Sequence, residues 1–396
     1  MQFRHAKTVS AWCLLILSQS AWAEGIIDIN PYISGSINYD DNIFRQSEKL
    51  INNSGADVVK RVEFGTDINL RLSRQLVTVS ANISENKYNR FDILDNTGKA
   101  YALGWNWRLG NDFYGVLSHS KTEAIAGFNE IRSASKNLRT AKRDFASLNW
   151  DFHPDWTIYF NGEQFKTENE LTNFSALDRK DTALETGLRY QNTLGTQLGL
   201  SYRSSESSYP NRTSFLQFLF GDESQQKILG VSAAWLPTAK TRISTRLSQV
   251  QIQYKDKPQR DFNGFSQRWD IDHSLTGKVN LNAAAYQEVA PIDDIESTYV
   301  KTTGASVNSA WVITSKTTLR GGLGYEQRDY LGSAGLLAVG SDDRNDESLL
   351  GSLSLQYMPT YKTSLQLQYQ GEKRTSNIDS QSYQFNNINF LVRYDF

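Results

Sequence analysis

Cysteine is almost missing: one residue in 396, Cys13. It lies in a stretch that reads as a leader, so the processed chain is expected to have neither disulfide nor thiol chemistry. Histidine is scarce as well. Beyond the leader only His119, His153 and His273 occur, and no His/Cys/Asp cluster has metal-ligand spacing, so no metal or other cofactor is expected. Neither sign of charge dominates: 42 Lys and Arg stand against 43 Asp and Glu, a net charge of −1. No whole-chain attraction to polyanions follows, and no nucleic-acid partner is expected. Past residue 24 there is no run of ~18 apolar residues, which excludes a transmembrane helix there. No Gly-rich phosphate loop follows a strand. No low-complexity segment or domain boundary is visible.

The first residues carry the pattern of an export signal. Arg4, His5 and Lys7 form a basic start, Val9 to Leu17 a mostly apolar run, and Ala21-Trp22-Ala23 an A-x-A site. The apolar run is too short to anchor the chain across a membrane. Cys13 lacks the small-residue context of a lipoprotein site. The expected organisation is a signal peptide over 1–23 and a single barrel over 24–396.

Aromatic residues are abundant: 19 Tyr, 19 Phe and 9 Trp. Mean hydropathy is nonetheless −0.51. A membrane barrel combines the two, because half of each strand faces water. The C-terminal stretch is the clearest case. Ile388, Phe390, Val392, Tyr394 and Phe396 alternate with Asn387, Asn389, Leu391, Arg393 and Asp395. A period of two is a β-strand with one apolar and one mostly polar face. It runs to the last residue, where a soluble sheet would leave an aggregation-prone edge. Closure into a barrel removes that edge.

The same alternation recurs in hairpins. Val62, Phe64, Ile68, Leu70 and Leu72 share a face; after Ser73-Arg74-Gln75 the chain returns through Val77, Val79, Ala81 and Ile83. Seven further hairpins turn near Gly110-Asn111-Asp112, His153-Pro154-Asp155, Asn192-Thr193, Pro237 to Lys240, Gly277-Lys278, Thr314-Ser315-Lys316 and Pro359 to Lys362. With a first strand over Pro31–Asp40 and the C-terminal strand, about eighteen strands are predicted, and their even number puts both termini on one side. An aromatic precedes most turns (Trp107, Trp150, Tyr190, Trp235, Trp311, Tyr357), the residue type that prefers a membrane–water interface. The connections between hairpins are long and polar, among them 121–143 and 204–225. The predicted fold is therefore all-β: a transmembrane, antiparallel, up-and-down barrel with short periplasmic turns and long extracellular loops, in the outer membrane of a Gram-negative bacterium. A soluble sandwich would leave too much apolar surface for two sheets to hide.

With apolar residues outward, the alternate positions face the lumen. Basic candidates are Arg71, Arg108, Arg189, Arg203, Arg242, Arg246, Arg268, Arg320 and Arg393. Acidic candidates are Glu63, Asp67, Glu185, Asp270 and Asp272, with Asp151, Glu163, Glu326 and Asp395. Arginine could hold the carboxylates of an acidic sugar in bidentate geometry, or pair with its neighbours and brace the wall. The basic stretch Lys121 to Arg143, with Arg132, Lys136, Arg139 and Lys142, could fold inward, meet anionic headgroups or simply be solvated. Phe215 to Phe220 is an apolar run in a loop, open to reading as a strand extension or a plug; Leu336 to Val339 is a weaker one. Of the histidines only His119 lies at a strand end where a Ser–His site could form, and no serine has the spacing for it; no catalytic residue is assigned and no enzyme is expected. Asp40-Asp41-Asn42 could be a turn or a cation site.

Pro31-Tyr32-Ile33-Ser34 followed by Asp40-Asp41-Asn42-Ile43-Phe44-Arg45 resembles the early segment of the EpsL-type outer-membrane proteins of exosortase-associated exopolysaccharide clusters. The Tyr357-Met358-Pro359-Thr360 turn and the terminal Phe396 fit the same family. The resemblance implies a barrel that exports or helps assemble an extracellular polysaccharide, with no catalytic residue. The last strand, ending in Phe396, looks like the signal that outer-membrane barrels present to the barrel-assembly machinery; the other expected partners are outer-membrane lipid, the polysaccharide, and periplasmic or inner-membrane polysaccharide-synthesis components. A general or sugar-selective uptake porin is the alternative.

Overall fold

The computed structural model describes residues 26–47, 55–128, 135–291, 297–332 and 344–396. The leader, Arg132 and Leu336 to Val339 lie outside them. Eighteen strands form one sheet: β1 Ile27–Asp40, β2 Asp57–Leu72, β3 Gln75–Tyr88, β4 Asn96–Leu109, β5 Phe113–Ile125, β6 Leu138–His153, β7 Trp156–Asn169, β8 Arg179–Gln191 and β9 Gln197–Ser208. The second half is β10 Glu223–Thr238, β11 Thr241–Tyr254, β12 Phe262–Thr276, β13 Val279–Pro291, β14 Tyr299–Thr314, β15 Thr317–Leu331, β16 Asn345–Thr360, β17 Thr363–Ser376 and β18 Tyr383–Asp395. Each strand pairs antiparallel with the next, and β1 pairs with both β2 and β18, so the sheet is closed. For eighteen strands ~4.8 Å apart and tilted by ~40°, the backbone cylinder is about 36 Å across.

The apolar alternation becomes the outer wall. Phe64, Leu103, Phe160, Leu200, Val231, Leu323 and Phe390 are all about half exposed or more. No second layer covers them; outside a water-soluble fold that surface is satisfied only by lipid. Among the described residues no helix is long and apolar enough to cross a membrane.

Four of the eight tight turns share a Thr-x-Lys design. Thr238, Thr276, Thr314 and Thr360 accept, through Oγ1, the backbone N–H of Lys240, Lys278, Lys316 and Lys362 at 3.2–3.3 Å. The carbonyl of each lysine then accepts the N–H of the next hairpin: Ser274, Val312, Met358 and Asp395. The turns are thus chained sideways into a rim. Just before each threonine the register slips by a bulge, which lets the turn close without disturbing the alternation below it.

The opposite rim is built differently from the sequence expectation. The stretch 121–143 is not a loop at its ends: β5 continues to Ile125 and β6 begins at Leu138, putting Lys121 and Lys142 on the outer face and Arg139 and Arg143 on the inner. The Phe215 run is neither a strand extension nor buried as a plug. It forms a short helix, α1 (Ser214–Phe220), capped by Thr213, with Phe215 and Phe218 exposed. Six residues are too few to separate a helical from a strand period, which is why the sequence left the run open.

Candidate functional site: the lumenal wall

Among the described residues the lumen organises many of the polar side chains, and it is assembled from the inward positions of the strands. Three inward tyrosines repeat one device. Tyr32, Tyr159 and Tyr286 each stand in register with a glycine of the next strand, Gly65, Gly187 and Gly304. Each ring lies flat over that glycine; a Cβ there would sit 2.4, 2.4 and 2.7 Å from the ring Cζ. Each hydroxyl then donates to a carboxylate: Tyr32 to Glu63 (2.9 Å), Tyr159 to Glu185 (3.1 Å) and Tyr286 to Glu326 (2.6 Å). These tyrosines were assigned no site role from sequence, where aromatics read as membrane-facing. The detectable signal was their parity: all three fall on the polar face.

Arginines complete the clusters. Arg393 stacks on the Tyr32 ring at 3.6 Å and pairs with Asp395 (2.7 Å) and Asp67 (3.8 Å). Arg203 spans Glu163 (3.1 Å) and Glu185 (3.6 Å). Arg268 pairs with Asp270 (3.0 Å) and Glu288 (3.7 Å) and lies 5.2 Å from the Tyr286 ring. Glu288, Arg61, Arg143 and Arg328 also join these clusters. Their side chains keep roughly a third of their surface in water, so each pair contributes at most ~1 kcal/mol to stability. They set the charge pattern of the lumen more than they brace it.

The remaining candidates divide differently. Arg189 donates to the Tyr114 hydroxyl (3.3 Å), and Arg108 to the Asn111 carbonyl (3.1 Å) while facing the Tyr114 ring. Arg242 reaches Gln197 (3.3 Å) and Arg320 reaches Gln356 (3.0 Å), neutral hydrogen-bond partners, while Asp272 stands opposite Arg242 in register. Asp272 accepts from Asn282 (2.8 Å). Arg71 is exposed, and among the described residues neither it nor Arg246 has a side-chain partner. Arg246 stands directly opposite Arg268.

Two hollows follow one another up the inner wall of β11 to β17. The lower, of about 620 Å³, includes Arg242, Asp272, Asn282, Asn308, Arg320 and Ser352. The upper, of about 590 Å³, includes Arg268, Tyr286, Asn308, Glu326, Arg328 and Gln370. Asn308 and Ser352 belong to both, so the track is continuous.

Near the outer mouth, inward residues become buried and apolar. Ile43, Phe44 and Leu94 pack with Val59, Tyr88 and Phe91. Across the barrel, Val250, Ile252 and Tyr254 pack with Ile228 and Phe262. An inward residue can be buried only by something lying over it inside the lumen. The segment 41–47 covers the first cluster, and Arg260, fully buried, sits 5.3 Å from the Tyr254 ring. The mouth is therefore narrower than the wall.

The Asp40-Asp41-Asn42 triplet is a clasp across the β1–β18 seam. Asp40 holds Arg45 through both oxygens (2.8 Å each) and accepts from Asn42 N and Asn387 Nδ2. Asp41 accepts Asn386 N (2.7 Å) and Nδ2 (2.8 Å). Asn42 donates to Gln46 O and Gln384 O, and Arg45 stacks on Phe385 at 3.6 Å. All four carboxylate oxygens are occupied by N–H donors, which is the turn reading. His119 faces outward, between Asp144 (2.6 Å) and the Tyr101 hydroxyl (3.1 Å), with no serine in that pair of contacts.

Neither a protein-family model nor a curated protein matches the sequence. Solved structures do match in shape. OccK9 (OpdG) of Pseudomonas aeruginosa superposes with a TM-score of 0.56 at 9% identity, covering 93% of this chain and 99% of that one. The ferric enterobactin receptor PfeA of the same organism, a mutant in complex with enterobactin, gives 0.50 at 10% identity, covering 93% and 81%. The fold is that of the outer-membrane barrels. The likeness is one of fold: a closed antiparallel barrel with an apolar outer wall and a polar inner one.

Proposed function

We propose that this barrel passes an extracellular polysaccharide across the outer membrane, the role its resemblance to the EpsL-type proteins implies. The observation that carries the reading is the track on the inner wall of β11 to β17. Amides and hydroxyls (Asn282, Asn308, Ser352, Gln370) alternate with arginines, two of which, Arg242 and Arg320, hydrogen-bond to neutral partners. Amides and hydroxyls exchange hydrogen bonds with sugar hydroxyls at little net cost, and arginine can take a sugar carboxylate with two parallel bonds. Such a track favours sliding over tight binding. Transport is passive and driven from the periplasmic side, where synthesis components would deliver the polymer. The last strand, ending in Phe396, serves the assembly machinery.

A sugar-selective uptake porin is the second reading, favoured by the narrowed mouth. Planar-bilayer recording separates them. For the export channel, an acidic polysaccharide such as alginate added on the turn side blocks the open current, and the double variant Arg242→Gln/Arg320→Gln raises the half-blocking concentration about tenfold, ~1.4 kcal/mol shared between the two lost arginine contacts. Negligible conductance, or a clean deletion strain with unchanged surface polymer, would overturn the export reading.

A further inference from the structure

The outer wall of β5 to β8 carries three successive cross-strand rows of different chemistry. The lowest is apolar: Leu117, Ala146, Gly162 and Leu184 stand directly opposite one another. Above it comes a polar row, His119, Asp144, Gln164 and Thr182. Above that come four lysines side by side, Lys121, Lys142, Lys166 and Lys180. Like charges directly opposite in a sheet repel, so this row calls for an anion.

Glu168 supplies part of it, accepting from Lys142 (3.0 Å) and Lys166 (2.6 Å). Glu123 and Glu206 flank the patch, and Glu123 lies 3.9 Å from Lys99. Lys121 and Lys180, at the two ends of the row, have no side-chain partner among the described residues. The four lysines stand eight to eleven residues along their strands from the tight-turn ends. With ~3.4 Å rise and ~40° tilt that is about 21–29 Å of height, at the upper edge of an apolar band ~25 Å tall. They sit at the outer headgroup level.

The apolar row beneath is not flat. Small residues at Ala146 and Gly162, between Leu103 and Leu117 on one side and Leu184 on the other, leave a groove of about 700 Å³. A Cβ built on Gly162 meets only Leu184 Cδ2, at 3.6 Å, so nothing from the protein fills the space. The polar row forms the upper end of this groove.

We infer that this face is a specific site for one phosphorylated, acylated glycolipid of the outer leaflet. Its phosphates lie on the lysine row, its sugar hydroxyls on Asp144, Gln164 and Thr182, and one acyl chain in the groove. Charge, hydrogen bonding and apolar surface occur in the vertical order of such a molecule, whereas a merely solvated lysine patch needs no groove below it.

Refolded barrel incubated with bis-phosphorylated lipid A in detergent, then analysed by native mass spectrometry, is expected to retain one lipid A in preference to phosphatidylglycerol. The quadruple variant Lys121→Gln/Lys142→Gln/Lys166→Gln/Lys180→Gln is expected to lose that adduct at least tenfold. Gly162→Leu, which fills the groove and leaves every lysine, is expected to lose it comparably. Heat-modifiable gel migration verifies that each variant is folded. An unchanged adduct in the quadruple variant overturns the site. So does an equal loss when Lys60, Lys87, Lys227 and Lys373, outward lysines elsewhere on the wall, are replaced instead, or indifference to Gly162→Leu.

Discussion

Asp40→Ala should weaken the barrel far more than removal of an exposed lumenal carboxylate such as Asp67. The β1–β18 seam is joined by nine register pairs, against fourteen for β1–β2. The clasp at its outer end rests on Asp40, whose side chain is 6% exposed beside an Arg45 side chain at 13%. Removing one partner of a buried ion pair strands the other and costs about 3–5 kcal/mol. After Asp40→Ala the guanidinium keeps only the Asn42 carbonyl and the Phe385 face. After Arg45→Ala the carboxylate keeps two donors, Asn42 N and Asn387 Nδ2, so that loss should be smaller, about 1–2 kcal/mol. Asp67→Ala is the control: its carboxylate is 44% exposed and 3.8 Å from Arg393, and the expected change is within ~0.5 kcal/mol. Urea titration in lipid vesicles, followed by intrinsic tryptophan fluorescence, gives the three free energies. If Asp40→Ala falls within ~0.5 kcal/mol of Asp67→Ala, the clasp reasoning is wrong. If Arg45→Ala costs more than Asp40→Ala, the asymmetry argument fails.

Two further outcomes follow from local geometry. Gly187→Ala places a methyl 2.4 Å from Tyr159 Cζ, forcing the ring off its seat and its hydrogen bond to Glu185. The expected loss is about 1–3 kcal/mol in the same titration, whereas Gly162→Ala, with open space outside it, should be near neutral. Asp95, in the connection after β3, accepts Tyr88 N (2.8 Å) and pairs with Lys87 (3.0 Å). The Tyr88 N–H first, and the Lys87 ammonium next, hold its carboxyl below the usual range. A depressed carboxylate stabilises the fold fully above its unfolded value of ~3.9, and that contribution disappears as the pH falls through the lower folded value. A ¹³C titration of the Asp95 carboxyl should show a midpoint below ~3.9; a midpoint at or above it would contradict the assigned contacts.

The barrel was legible from parity. A period of two, repeated over hairpins such as Val62–Leu72 and Val77–Ile83, fixes both which face meets lipid and the closed topology, because no soluble arrangement hides so many apolar faces. Strand ends were less legible. Lys121, Lys142 and Lys166 alternate as regularly as the leucines below them, but charge at an outward position reads as loop when the apolar band stops. The tyrosine–glycine seats were invisible for another reason: they depend on register between strands, and Tyr32 and Gly65 are brought opposite only by pairing. The clasp is a similar case. Asp40 to Arg45 reads as a local turn, yet its partners Asn386 and Asn387 lie at the far end of the chain.

The strands, twelve to sixteen residues long, outrun the nine to eleven or so that a tilted strand needs to cross the hydrocarbon. The surplus stands as a stiff collar on the outer side, its backbone hydrogen bonds intact. On the export reading, a negatively charged chain would still be guided by the wall as it passed the level of the lipid phosphates.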